Sequence, residues 1–294
     1  MKNKIRLIHL HHFLFENYQA MKKILHYDPN LENLYQYSPS TFKTTFQMTS
    51  KAAKILYNQL HSTSIFDILK ESYKKNIKII TIYDDLYPDL LREICDPPFV
   101  LYLKGNQNIL YEPFRISIIG ARKPTLFAKI ICDSFMLDLI REKCVIVSGM
   151  ASGCDSIAHN SAIFHNGTTI AVVGCGLDYI YPKENINLFN ELAINHLVIS
   201  EYPYYIRPEK RYFPRRNRII AGLSKGLIVL EAKEKSGTMI TANFAIQYNR
   251  EVFAVPGPII MEEYEGNHRL IQDGAKLITC TNDILEEFQE YTKK

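Results

Sequence analysis

Between Arg207 and Gly222 cations and rings interleave: Arg207, Lys210 and Arg211, then Tyr212 and Phe213, then Arg215, Arg216, Asn217 and Arg218, before the apolar run Ile219-Ile220-Ala221. Guanidinium and ammonium groups hold phosphates, and aromatic rings stack on bases whatever their identity, so the stretch is suited to single-stranded nucleic acid. If a helix begins near Pro214, Arg215 and Arg218 share a side by their i, i+3 spacing, while Arg216 adjoins Ile219 and Ile220. Lys210 through Phe213 then project from the preceding loop, and Lys210 and Phe213 are the expected contacts to phosphate and base.

Small-residue turns supply a second kind of chemistry. Gly120-Ala121-Arg122 with Lys123, Gly174-Cys175-Gly176 and Ser236-Gly237-Thr238 each follow an apolar run. A Gly-rich turn that opens a helix presents backbone N–H groups with the positive end of the helix dipole, which attracts phosphate. Tyr179 stands where a dinucleotide fingerprint needs its third glycine, and no stretch carries the phosphate loop ending Gly-Lys-Ser/Thr. Neither a dinucleotide cofactor nor ATP hydrolysis is expected.

The elements that must position these residues follow from pattern. Short Val/Ile-rich runs at 116–119, 145–147, 170–173, 197–199, 227–230, 252–255 and 277–278 are mostly separated by helix-length segments. This predicts a doubly wound, mostly parallel α/β sheet over residues 73–294, with ligands outside the carboxyl ends of the strands. Two earlier runs, 77–82 and 99–103, read as strands, and the Lys104-Gly105-Asn106 turn as the boundary of the main sheet. Residues 1–72 carry helix spacing, with Thr49 and Ser64 as N-caps, and form a small helical domain.

Composition sets limits. The 294 residues are 47% hydrophobic and 22% charged, and 35 basic against 31 acidic residues leave a net charge of +4, too mild to identify a polyanion partner without local clustering. The six cysteines form no CxxC pair and sit mostly in apolar runs, as buried thiols in a reducing cytoplasm do. His9, His11 and His12 lie too close on one element to converge on an ion, so no metal is expected; nor is a membrane span.

The motifs in order resemble the DNA-processing protein A family, also called DprA or Smf. They are Ile118-Ile119-Gly120-Ala121-Arg122-Lys123-Pro124-Thr125, then Ser148-Gly149-Met150-Ala151-Ser152-Gly153-Cys154-Asp155 with Ala158-His159, then Gly174-Cys175-Gly176-Leu177-Asp178 with Tyr181-Pro182. Phe213 through Ser224, Glu231-Ala232, Ser236 through Ala242, Val255-Pro256-Gly257 and Gly266-Asn267 continue the likeness, which spans about residues 77–280. The resemblance implies an extended Rossmann-like fold and a non-enzymatic homodimer that binds and protects single-stranded DNA and loads the RecA recombinase in natural transformation. It implies a pocket built from Arg122, Lys210, Phe213, Arg216, Asn217 and Arg218, shaped by Gly120, Gly174, Gly176, Ser236 and Gly237, with Lys183 nearby. It likens residues 1–72 to a sterile-alpha-motif extension and leaves no room after Leu285 for the winged-helix domain some members append. Ala121 in place of the usual Ser, Ser152 in place of a common basic residue, and Tyr204-Tyr205 in place of a usual Gly depart from the family pattern.

Two other functions remain open at this level. Glu231 with Ser236-Gly237-Thr238 loosely resembles the turn of Rossmann hydrolases that cleave nucleotide N-glycosidic bonds, although Glu231 could instead brace the loop through Asn217 or an arginine. Residues 1–72 could also serve as a protein-interaction module independent of the sheet.

Overall fold

The structure is a computed structural model and describes residues 2–291. Among these, five helices come first: α1 Lys2–Leu14, α2 Tyr18–Tyr27, α3 Pro39–Thr44, α4 Ser50–Ser62 and α5 Ile65–Lys74. Thr49 and Ser64 cap α4 and α5 by accepting the amides of Ala52 and Phe66. The expected boundary at 72/73 falls in the last turn of α5.

The remainder alternates: β1 Lys78–Thr81, α6 Asp89–Arg92, β2 Val100–Gly105, β3 Arg115–Ile119, α7 Leu126–Arg141, β4 Val145–Ser148, α8 Cys154–Phe164, β5 Thr169–Val173, α9 Ile186–Asn195 and β6 Leu197–Ser200. α10 Tyr212–Leu223, β7 Gly226–Val229, α11 Gly237–Gln247, β8 Glu251–Ala254, α12 Glu265–Gln272, β9 Lys276–Leu277 and α13 Asn282–Leu285 complete it. One sheet runs β1-β2-β6-β5-β4-β3-β7-β8-β9. Every pairing from β6 to β9 is parallel, whereas β1 pairs antiparallel with β2, and β2 with β6. The Lys104-Gly105-Asn106 turn therefore does not bound the sheet, because Tyr102 to Gly105 register against Ser200 to Leu197 and carry it on to β1.

Both faces of the parallel strands are covered, which is why they read as continuous apolar runs. Val145, Val147, Ile170, Val172, Leu197, Ile199 and Leu227 pack with Ile219 and Ile220 of α10. Ile116, Ile118, Ile146 and Ile228 face α7 and α8 through Cys132, Phe135, Ala158 and Ala162. The helical core is continuous with the sheet: Leu7, Leu10 and Ile24 belong to the same buried cluster as Val100, Tyr102, Ala171 and Val198. Among the described residues no helix is long and apolar enough to cross a membrane.

Candidate nucleic-acid interface

The strand order reverses between β3 and β7, so the connection leaving β3 and the one leaving β7 part company at the carboxyl edge and open a crevice. A groove of about 450 Å³ lies there, lined by Gly120, Arg122, Lys123, Asp155, Phe213, Arg216, Asn217, Lys235, Ser236 and Gly237 among others. A smaller cleft of about 40 Å³ adjoins it, between Arg122, Gly149, Ser152, Gly174, Tyr181, Pro182, Phe213 and Arg216. Arg122, Phe213 and Arg216 line both.

The turns are fastened to one another through backbone carbonyls of the loop after β3. Cys154 N donates to the Ala121 carbonyl at 3.0 Å, and Thr238 Oγ1 to the Gly120 carbonyl at 3.0 Å. Gly153 adopts φ +79°, and a Cβ there would collide with the Ala121 carbonyl oxygen, so only glycine lets the loop after β4 approach the loop after β3 this closely. Gly174 packs against the Phe213 ring, and a Cβ would meet Phe213 Cδ1 at 2.9 Å. Tyr181 lies beside the same ring, with centroids 5.2 Å apart and planes tilted by 40°. Phe213 is half-buried and Tyr181 exposed. Gly176 does not line the groove; its amide donates to the Ile206 carbonyl at 2.7 Å and holds the loop that leads to α10.

The cations of the basic stretch divide sharply. α10 begins at Tyr212, two residues before the expected start at Pro214, so Tyr212 and Phe213 occupy its first turn instead of the loop. Arg216 is buried and donates Nη1 to the carbonyls of Gly149, at 2.5 Å, and Val172, at the ends of β4 and β5. Its Nε donates to Asn217 Oδ1 at 3.1 Å, and Asn217 Nδ2 donates to the Gly237 carbonyl at 3.4 Å, which ties α10 to the start of α11. Burial holds the Arg216 pKa below its ordinary value, and burial pushes that of the neighbouring Asp155 up despite the guanidinium. Asp155 accepts from Ala151 N at 3.2 Å and lies at the groove wall.

Arg218 does not reach the groove. It is 2% exposed and paired with Glu201 at 2.6 Å and Asp96 at 3.3 Å, with Glu201 itself 2% exposed. Burial opposes its charge, but the two carboxylates more than offset this and hold its pKa above the ordinary value. The expectation of Arg218 as a pocket residue is corrected on this geometry: i, i+3 spacing placed it beside Arg215, and both side chains turn to Glu201. Arg211 is likewise engaged, by Glu16 at 2.8 Å and Glu209 at 2.9 Å. Lys210, by contrast, is exposed in the loop just before α10, and among the described residues no ion pair engages Lys210, Arg122, Lys123, Lys183 or Lys235. Lys183 lies in the short turn after Tyr181-Pro182; those two residues line the smaller cleft and Lys183 does not.

Glu231 is fully buried and does not line the groove. Its carboxylate accepts the Thr125 amide at 2.9 Å, the Thr125 hydroxyl and the Tyr264 hydroxyl at 3.0 Å, so it joins the start of α7 to the turn before α12. It braces this loop through Thr125 and Tyr264, not through Asn217 or an arginine. Among the described residues no group of His, Cys, Asp or Glu could hold a metal ion. Sequence reasoning missed Tyr181 as a ring beside Phe213, and Lys235 and Asp155 as groove residues; only the two lysines flanking Glu234 carried a visible signal.

Residues 78–289 match the family described as DNA recombination-mediator protein A. A DNA processing protein DprA of Bacillus subtilis is 43% identical over 223 residues, 76% of this chain and 75% of its own. The X-ray structure of DprA from Streptococcus pneumoniae superposes with a TM-score of 0.84 at 36% identity, covering 96% of this chain and 97% of that one. A Helicobacter pylori DprA structure, reported for its single-stranded DNA binding mode, gives 0.67 at 32% identity over 74% of this chain and 97% of that one. On the family match over residues 78–289, the sequence identity and the superposition, the chain belongs to the DNA recombination-mediator protein A family.

Proposed function

We propose that this protein binds single-stranded DNA along the carboxyl edge of its sheet and acts, without catalysis, as a recombination mediator. The observation that carries the reading is the half-buried Phe213 ring, with Tyr181 beside it, on a groove whose cations Arg122, Lys123 and Lys235 have no ion-pair partner among the described residues. Arg122 and Lys210 hold phosphates, Lys123, Lys183 and Lys235 extend the positive edge, and Phe213 stacks a base. Gly120, Gly174, Ser236 and Gly237 shape the walls, Gly176 supports the approach to α10, and Arg216 and Asn217 hold the floor together. Binding is then tolerant of sequence and weakened by salt.

Family membership supports the further reading that the protein is a cytoplasmic homodimer that protects incoming DNA and loads RecA during natural transformation, with residues 1–72, a sterile-alpha-motif-like unit, and residues 73–294 on a common core. Fluorescence anisotropy with single- and double-stranded oligonucleotides across a salt series tests the binding. Preference for duplex, or affinity insensitive to salt, would reject it. RecA strand exchange on DNA coated with single-strand-binding protein tests loading, and sedimentation tests the dimer. The hydrolase reading loses its motivating residue, because Glu231 is committed to Thr125 and Tyr264.

A further inference from the structure

The basic and aromatic segment is gripped from outside the Rossmann layers. The turn between α1 and α2 lies over the start of α10. Phe15 is edge-on to Tyr202, with centroids 6.0 Å apart and planes at 88°, and 6.4 Å from Tyr212; Tyr202 and Tyr212 are themselves 4.5 Å apart. The Glu16 carboxylate accepts from the Tyr212 hydroxyl and from Arg211 Nη2 at 2.8 Å. Arg215 Nη1 donates to the Phe15 carbonyl at 3.1 Å, and the Tyr205 hydroxyl to the His12 carbonyl at 3.0 Å. The segment from 205 to 215 is therefore tied at both ends to one helix corner, and Lys210 and Phe213 lie inside the tied span.

Glu16 has the wrong charge to sit beside a strand of phosphates. A carboxylate near Lys210 lowers the positive potential and, as a through-space charge, can only oppose DNA. What it does favour is order: it fixes the hydroxyl of Tyr212, which is buried directly before Phe213, and so fixes the first turn of α10 from which the Phe213 ring meets Gly174. We infer that the Phe15-Glu16 corner is a positioning device for the single-strand site, so that the N-terminal helices set DNA affinity without touching DNA. This rests on the proposed reading of the groove.

Charge and positioning predict opposite signs, and two variants of the full chain separate them. Glu16→Ala removes both the charge and the acceptor. Positioning predicts affinity for an oligothymidylate weakened about three- to tenfold, the loss of a charge-assisted hydrogen bond discounted for the partial exposure of the pair. Glu16→Gln removes the charge but keeps an acceptor for Tyr212, and its affinity stays within about twofold of the parent or tightens. Amide hydrogen exchange over residues 204–213 should quicken in Glu16→Ala and not in Glu16→Gln, with both variants melting near the parent temperature. Equal or tighter binding by Glu16→Ala, or unchanged exchange in it, overturns the inference. Lys210→Ala run alongside distinguishes the failures: if it too binds as the parent does, the groove reading has failed, and the exchange measurement alone decides the brace.

Discussion

Arg218 Nη2 lies 2.6 Å from Glu201 Oε1, with both side chains 2% exposed, so the last cation of the basic run faces the protein interior. Asp96 adds a second carboxylate at 3.3 Å, itself held by the Tyr248 hydroxyl at 2.6 Å. Arg218→Ala is expected to destabilise the fold by about 2 to 4 kcal/mol, because it removes the nearer partner of the buried Glu201 and leaves only Arg215, at 3.2 Å, to balance it. Urea denaturation measures this. An Arg218→Ala protein of parental stability that nonetheless lost DNA affinity would return Arg218 to the groove.

Lys210 offers the contrasting case, an exposed cation without an ion pair among the described residues. Lys210→Ala should leave the melting temperature in place, weaken single-strand binding and reduce the salt slope of log K by about 0.7, the share of one phosphate contact. An unaltered slope would remove Lys210 from the DNA path.

Phe213 both packs and projects, since its ring rests on Gly174 and neighbours Tyr181. Phe213→Ala should cost about 1 to 3 kcal/mol of binding if one base stacks there, whereas Phe213→Tyr keeps a π-face and should retain most of the affinity. Titration of both variants with a fluorescent oligonucleotide checks this, and equal losses would argue for packing alone.

Glu231→Gln separates brace from catalyst. Thr125 and Tyr264 lose a charged acceptor, so stability should fall by about 1 to 3 kcal/mol. No base should be released from nucleoside monophosphates by the parent or the variant, as chromatography of the products would reveal. Turnover in the parent that vanished in Glu231→Gln would revive the hydrolase.

Acid should destabilise the protein through its buried histidines, three of which lie in α1 and one, His159, in α8. Burial lowers the pKa of His9 to about 4, of His11 to about 3 and of His12 to about 4, from 6.5. Above about pH 7.5 these rings are neutral folded or unfolded and contribute no pH dependence. Below it the unfolded chain binds protons that the folded chain refuses, and stability is lost as pH falls toward 4, by at most about 1.4 kcal/mol per unit for each ring. Urea midpoints taken between pH 7 and 5 should fall, and fall less in His11→Leu; a flat series would show that the rings protonate without unfolding.

Local pattern determined much of this protein. Val/Ile runs of strand length separated by helix-length segments required a parallel sheet covered on both faces, because only strands buried on both sides read as unbroken apolar runs. The glycine turns had to lie at strand ends, since each follows such a run, and Thr49 and Ser64 announced their helices by short-range capping. What the tertiary structure alone decided is the fate of each charge. Arg215, Arg216 and Arg218 differ little in sequence, yet Glu201, the carbonyls of Gly149 and Val172, and the Phe15 carbonyl claim them from distant segments, leaving Lys210 outward. The antiparallel edge through β2 and the grip of Glu16 on Tyr212 were equally hidden, the latter across 196 positions of chain. Helix periodicity tells which side of α10 a residue occupies; which partner waits on that side is set by where the rest of the chain folds back.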